Sequence, residues 1–530
     1  MRLYVYLILL LLVLGAPFAM RAVLLQTQMQ PAGVGAGGPI AGKLVIVTPH
    51  NQDIRREFGR AFAAWHREKY GTAVQLDFRT PGGTNDIQRM LETTYRPWVR
   101  PDGIDPAMPA GIDIVWGGGD FFFDNTLNNF QSQFGKYSVL QPIDLAPELL
   151  HETFPSPLLA GVKLYDYRAD ADGKPLPPRW VGVCLSSFGI VYSPDLYQSL
   201  GLAAPNTWHD LADERLAGLV ALADPTHSGS VAVAYEMLIQ RAMADREEEL
   251  FGRMPELKAM TPKARQENVE YCRAIDSGWK QGMRDLLLMA ANARYFTDSA
   301  TQVAGDVANG EAAAGVAIDF YGRVYQESVG SRRCTFIMPR GATAITPDPI
   351  GILYGVKGKQ KELATHFVEF MLTKPAQLLW ILRPGQSGGP AERSLRRPPI
   401  RRDLYADRAG WADDVDPFND AAGFNQRGEW MTLFGDERMF WAAAWIDSRD
   451  GLKDAYDKIR VVPDPQFRAQ LIAKLADLPV ERKDVEDYQR ERRQAERDPA
   501  VNAEEWKARQ RIRWARTFRE HYAGVAAEAR

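Results

Sequence analysis

Lys43-Leu44-Val45-Ile46-Val47-Thr48 is a short apolar, β-branched run that opens the region deciding the fold. From Asp53 to Tyr70, Ile54, Phe58, Phe62 and Trp65 recur at helical spacing, and Gly71 stops the pattern. Ala73-Val74-Gln75-Leu76-Asp77-Phe78 reads as a second strand. Pro81-Gly82-Gly83-Thr84 then opens a second helix carrying Ile87, Met90 and Leu91. Ile112-Asp113-Ile114-Val115-Trp116 reads as a third strand, ending in Gly117-Gly118-Gly119-Asp120. This β-α-β-α-β order predicts a parallel sheet with helices on its faces. Ligands of such sheets bind beyond the carboxyl ends of the strands, where loops meet helix N-termini.

The middle of the chain repeats the α/β pattern. Trp180-Val181-Gly182-Val183 and Gly189-Ile190-Val191-Tyr192 read as two strands separated by polar Ser186-Ser187. A helix is expected around Pro194 to Leu200. Leu219-Val220-Ala221-Leu222-Ala223 is another strand, running into Asp224-Pro225-Thr226-His227-Ser228-Gly229-Ser230 and a helix through about Met243. Ala314-Gly315-Val316-Ala317-Ile318 is a later strand ending at Asp319-Phe320-Tyr321. Ile350 to Val356 reads as a strand, and Glu362 to Leu372 as a helix.

The outer segments differ in character. Met1-Arg2 precedes an apolar run from Leu3 to about Met20, with Gly15, Ala16 and Ala19 near its end, so residues 1–25 read as an export signal or an uncleaved membrane anchor. Residues 26–42, rich in Gly, Pro, Ala and Gln, read as a flexible tether. Beyond about Pro384, Arg-rich loops give way to an alternating-charge helix, Lys483 to Arg497. Trp506, Ile512, Trp514 and Phe518 then recur at roughly helical spacing, as an apolar stripe docking on the body.

Bulk composition sets bounds. A chain of 530 residues exceeds one compact core and predicts two or three domains. Hydrophobic residues at 45% and charged residues at 25% are those of a soluble globular protein. A net charge of -3 supplies no global attraction for nucleic acid or an anionic membrane. Cys184, Cys272 and Cys334 form neither a CxxC pair nor a zinc-ligand spacing; one disulfide at most can form among them, and the sequence does not choose the pair.

Two loops have ligand-binding chemistry. Gly82-Gly83-Thr84-Asn85 offers backbone N–H groups, a hydroxyl and a helix start, which is an anion or carboxylate site, or else a turn with Thr84 as an N-cap. The loop with Thr226, Ser228, Gly229 and Ser230 is a second strand–loop–helix anion trap, richer in hydroxyls. The glycines running through Gly119 to Asp120 permit close backbone approach.

Taken in order, several segments resemble the periplasmic substrate-binding proteins of ABC importers, especially the ferric-iron-type branch of the extracellular solute-binding families. They are the opening strand with Thr48-Pro49-His50-Asn51; Val191-Tyr192-Ser193-Pro194-Asp195-Leu196 with Asn206-Thr207-Trp208-His209-Asp210-Leu211-Ala212; Val220 through Gly229; Val307-Ala308-Asn309-Gly310-Glu311-Ala312-Ala313-Ala314-Gly315; and the helix Lys361 to Phe370. The resemblance covers about residues 43–385. It implies a two-lobed α/β fold of the type II periplasmic-binding-protein kind, with hinge crossings. Lobe I would hold residues 43–180 and 345–385, lobe II residues 181–344, and residues 386–530 a mostly helical extension packed on the lobes.

The resemblance further implies an exported, extracytoplasmic, monomeric protein that closes on a small ligand and presents it to a membrane ABC permease, without a cofactor. In the ferric branch, iron is held by an early His, a carboxylate and two adjacent tyrosines. His50 and Tyr321 stand at matching places, but Phe320 replaces one phenol and cannot donate an anionic oxygen. The hydroxyl-rich helix starts suit a phosphate, phosphonate or carboxylate group, or a metal chelate, better than bare iron. His50, Ser187 and Tyr321 would line the same cleft, with Asp319 or Asp120 meeting a cationic or hydroxylated part.

Two other readings remain open. One is a membrane-tethered sensor or scaffold, motivated by the N-terminal segment and the charged extension. The other is a bilobal transferase of the thiaminase-like type with Cys184 as nucleophile, although no activating partner is visible by spacing. No HExxH or Walker loop occurs, nor a Rossmann glycine pattern followed by a suitable acid.

Overall fold

The computed structural model describes residues 39–529 except 133, 340, 421–423, 425 and 499; for Ser230 and Asp420 it describes the backbone alone. The segment read as signal or anchor, and residues 26–38 of the expected tether, lie outside the described residues. Residues 40–42 are not tether but the start of the first strand.

That strand, β1 (Ile40–Val47), leads into α1 (Gln52–Tyr70), β2 (Ala73–Arg79), α2 (Thr84–Tyr95) and β3 (Ile114–Trp116). Local chemistry sets the ends of α1. Asn51 Oδ1 accepts the N–H of Ile54, and Gly71 takes the left-handed conformation, φ 72°, that closes the helix. β1 lies between β2 and β3 and pairs with both in parallel, so the opening β-α-β-α-β reading holds.

A second parallel unit is built from β5 (Val220–Ala223), β6 (Ala293–Thr297) and β7 (Ala314–Ile318), in the order β6-β5-β7. Two long strands join the units: β4 (Trp180–Tyr192) and β8 (Ile345–Leu353). The sheet order is β6-β5-β7-β4-β8-β3-β1-β2. β4 pairs antiparallel with β8 from Trp180 to Ser187 and with β7 from Phe188 to Tyr192. One strand therefore passes from lobe I to lobe II, where the sequence predicts two. Ser186 and Ser187 do not interrupt it because both are buried and the ladder continues through them. β8 also begins earlier than the sequence predicts. Pro347 and Pro349 argue against a strand, but a register shift between Gly182 and Cys184 of β4 accommodates them.

Each lobe has its own core. In lobe I, Phe58, Phe62, Trp116, Phe367, Phe370 and Trp380 pack on one sheet face. Ile87, Leu91, Tyr95, Phe122, Phe123 and Trp180 pack on the other. In lobe II, the helix after β5, α3 (Gly229–Arg253), runs ten residues beyond the expected end near Met243 and packs along α4 (Val269–Ala291). The approach is close enough that a Cβ at Gly282 would lie 2.6 Å from Ile239 Cα, so only glycine fits.

After β8 the chain forms a lobe I helix, Gly358–Leu372, and then enters the extension. The extension's helices α5 (Phe434–Trp441), α6 (Arg449–Arg460), α7 (Pro465–Ala476), α8 (Arg482–Arg497) and α9 (Ala503–Glu528) share the lobe II core with Tyr235, Trp279 and Met283. Within α9, Ala515, Phe518, Tyr522 and Val525 form the buried stripe. The sequence pattern puts Ile512 on that stripe, but it is 69% exposed. Six residues before Phe518, at about 100° per residue, it falls on another flank of the helix. Among the described residues, no helix is long and apolar enough to cross a membrane.

Candidate functional site

The carboxyl ends of β1 and β3 meet β8 at a buried charge cluster. The turn after β1 bends His50 back so that its Nδ1 lies 2.7 Å from Thr48 Oγ1 and its Nε2 2.9 Å from Asp348 Oδ2. Asp348, between two prolines in β8, accepts the Gly118 N–H at 3.0 Å. Arg397, from the extension, donates to Asp348 Oδ2 at 2.5 Å and to Ser186 Oγ at 2.5 Å. The Arg397 guanidinium carbon lies 4.6 Å from the Phe320 ring and 5.4 Å from the Trp380 ring. Gly117 has φ 92°, and a Cβ there would stand 2.6 Å from His50 Cε1, so the glycine run is needed to admit the imidazole.

Electrostatics follow from this burial. Burial lowers the His50 pKa, with Arg397 adding to the effect against the upward pull of Asp348. A neutral imidazole that donates from Nε2 to Asp348 accepts the Thr48 hydroxyl at Nδ1. Burial alone would raise Asp348, but Arg397 and His50 together hold it below the ordinary carboxylate range. Arg397 is only 3% exposed and stays charged, its pKa raised by Asp348 and its neighbours despite burial.

Beside this cluster the two lobes touch. α2 of lobe I and α3 of lobe II bring their N-termini together. A Cβ at Gly229 would lie 3.8 Å from Thr84 Cβ, and Asn85 Nδ2 donates to the Thr226 carbonyl. Thr84 is the first residue of α2 and Gly83 its N-cap, so the N-cap reading of Thr84 is corrected. Nor are all the expected N–H groups free: Asp86 Oδ2 accepts the Gly83 N–H at 3.0 Å. In the facing loop, Asp224 Oδ1 accepts both the N–H and the hydroxyl of Thr226, at 2.7 and 2.6 Å. Ser228 caps α3, accepting the Val231 N–H, and is buried. The side chain of Ser230 lies outside the described residues. Each anion trap thus carries its own aspartate, a partner that the pattern of hydroxyls does not reveal.

The remaining candidates are divided between the two regions. Ser187 donates its N–H and hydroxyl to Asp319 Oδ2, both at 3.1 Å, and Asp319 is buried at the start of the helix Asp319–Val329. Burial raises Asp319, with Arg323 and Arg397 opposing. Tyr321 is half-buried, its phenol pushed up to about 12 by burial. Both ring nitrogens of His50 are engaged within the protein, by Thr48 and Asp348. Among the described residues no three His, Cys, Asp or Glu side chains group to hold a metal ion. Gly119 has φ 83° and open space at its Cβ position. Asp120, half-buried, is pushed up to about 7 by burial and by Asp124, so it either donates or accepts near neutral pH.

Sequence reading missed Asp348, Arg397 and Arg438, which donates to the Pro225 carbonyl beneath the Thr226 loop. Asp348 sits in Thr346-Pro347-Asp348-Pro349 and Arg397 in Arg396-Arg397-Pro398-Pro399; prolines that hold a charged residue in extended backbone are the local signal.

All three cysteines are free. Cys184 is fully buried, and burial raises its pKa well above the usual thiol value, the reverse of what a nucleophile needs. Cys334 is also buried, whereas Cys272 is part-exposed. Iodoacetamide applied to the native protein is expected to modify Cys272 and to spare Cys184 and Cys334 until denaturant is added. Rapid native labelling of Cys184, read by peptide mass spectrometry, would revive the transferase reading.

A family model described as bacterial extracellular solute-binding protein matches residues 112–383, just over half of the 530 residues. Solved structures similar to the chain include the periplasmic binding protein AfuA from Actinobacillus pleuropneumoniae with exogenous fructose-6-phosphate bound, at 17% identity and TM-score 0.47, covering 77% of this chain and 98% of that one. Iron-bound HitA from Pseudomonas aeruginosa is similar at 14% identity and TM-score 0.46, covering 75% and 97%. The apo ferric ion-binding protein A of Pasteurella haemolytica is similar at 13% identity and TM-score 0.42, covering 75% and 97%. No curated protein matches the chain significantly.

Proposed function

We propose that this chain, which belongs to the family of bacterial extracellular solute-binding proteins, captures a small anionic solute between its lobes and delivers it to an ABC permease. The observation that carries the anionic assignment is the convergence of two helix N-termini from opposite lobes, with Gly229 of α3 against Thr84 of α2. Each contributes the positive end of a helix dipole, and a negative group between them interacts favourably with both. Thr84, Thr226, Ser228, Gly229 and Ser230 would surround a phosphate, phosphonate or carboxylate, and Gly119 and Asp120 would meet the rest of the molecule. Asp86 and Asp224 would have to yield donors to it. In this reading His50, Ser187, Asp319 and Tyr321 form the wall of the cleft. The protein acts as an exported monomer, by signal or anchor at its N-terminus.

A panel of phosphonates, sugar phosphates, carboxylates, polyamines and ferric chelates, read by thermal unfolding, tests this. A ligand at about 100 times its Kd adds roughly 2.7 kcal/mol to the folded state and raises the midpoint. Thr84→Glu keeps a residue type favoured at a helix start but places a carboxylate in the cleft, and should abolish the shift. A shift given only by polyamines, or one that survives Thr84→Glu, would overturn the anionic assignment. The second reading, a tethered sensor or scaffold, is favoured by one observation, that the extension reaches into the hinge through Arg397.

A further inference from the structure

Opening the lobes requires β4 and β8 to bend where they pass between them, near Cys184 to Ser187 and Ile345 to Asp348. The extension is fastened to this bend. The Leu185 N–H donates to the Pro398 carbonyl at 2.8 Å, and Cys184 forms a β-bridge with Pro399. Pro398 and Pro399 therefore lie against β4 through one hydrogen bond and one isolated bridge. Arg397 pins them to Asp348 of β8 and Ser186 of β4. On the lobe I side, the Arg397 N–H donates to the Trp380 carbonyl at 2.9 Å, and the Ile400 N–H to Gln377 Oε1 at 2.8 Å.

The preceding residue holds lobe II. Arg396 donates to Glu327 Oε2 at 3.0 Å, on the helix Asp319–Val329, and to Asp413 Oδ1 at 2.6 Å. Arg323 of the same helix lies 3.6 Å from Asp413. Arg396 has φ 57°, a left-handed conformation uncommon for a residue with a side chain, and this lets adjacent arginines reach different lobes. A cavity of about 350 Å³ opens beside this second anchor, between Arg323, Glu327, Phe336 and Arg396, and the Glu327 side chain is 54% exposed there, whereas neither side chain of the Arg397–Asp348 pair exceeds 11%.

We infer that residues 396–413 are an intramolecular strap that holds the hinge closed, with Arg397 fixed at the bend and Arg396 as its releasable lobe II end. The lobes then stay together through the chain's own arginines. Opening requires Arg396 to part from Glu327 and Asp413 from Arg323. None of this depends on which solute the cleft takes, and the test uses no solute.

Full-length protein is compared with Arg396→Gly by small-angle scattering and by amide hydrogen exchange. Glycine suits the left-handed backbone, so this variant loses the anchor without added strain. The expected result is a larger radius of gyration than wild type, with exchange at the Leu185 amide faster by roughly tenfold or more and the α3–α4 core unaffected. Arg397→Met with Asp348→Asn should give a larger change in both readouts. Two results would overturn the inference: wild type already as expanded as Arg396→Gly, or a folded Arg396→Gly with unchanged scattering and unchanged Leu185 exchange.

Discussion

Arg397→Met is expected to destabilise the protein by about 3–5 kcal/mol, the range for removing one partner of a buried ion pair. The substitution leaves Asp348, with a side chain 11% exposed, with only His50 and the Gly118 N–H as partners. Adding Asp348→Asn should recover much of the loss, because the orphaned charge is then removed. A double-mutant cycle by guanidinium unfolding measures the coupling. The sign with pH is set by Asp348. Its folded pKa lies below the unfolded value, so its stabilisation is present above about pH 4 and is lost as pH falls further. In Arg397→Met that acid-side loss should shrink. A cost under about 1 kcal/mol would place the pair among solvent-screened contacts and contradict its burial.

Trp441→Ala is expected to cost about 3–5 kcal/mol, and a chain ending at residue 385 is expected to be insoluble or to bind a hydrophobic dye. Trp441 is fully buried and packs 5.9 Å from Tyr235 of α3, stacked at 6.3 Å with Trp445. Phe434, Tyr456, Phe518 and Tyr522 enter the same cluster as Trp279 and Met283 of α4. Removing the extension therefore exposes a face of lobe II that an isolated lobe has no polar surface to cover. A soluble, cooperatively unfolding chain ending at 385 would show instead that the extension is an added layer and not part of the core.

Much of the fold was legible because its signals are short-range. Ile54, Phe58 and Phe62 repeat at helical spacing, Asn51 and Gly71 mark the ends of α1, a β-branched run marks β1, and short apolar-rich runs mark β2 and β5. Legibility failed where tertiary context overrode local rules. Pro347 and Pro349 hid the first half of β8, and Ser186-Ser187 made one strand look like two. Polarity and proline are tolerated there because β4 and β8 pair with each other through a register shift. Approximate spacing puts Ile512 on the buried stripe, and the actual helical angle puts it in water.

The candidate site divides the same way. Thr84, Thr226 and Ser228 were found because a strand, a turn residue and a helix start lie within a few positions of one another. Their aspartate partners Asp86 and Asp224 lie equally near, but which lone pairs accept which N–H is a matter of three-dimensional direction. What the sequence determined by itself is the alternation of strands and helices, the positions of the helix starts and, through the ordered segments that resemble it, the family. What only the tertiary structure decided is the charge cluster. His50 and Asp348 are 298 residues apart, and Arg397 reaches both from outside the matched family region. Periodicity and capping act over one helical turn, whereas a buried arginine finds its carboxylate only once two lobes and the extension have packed around them.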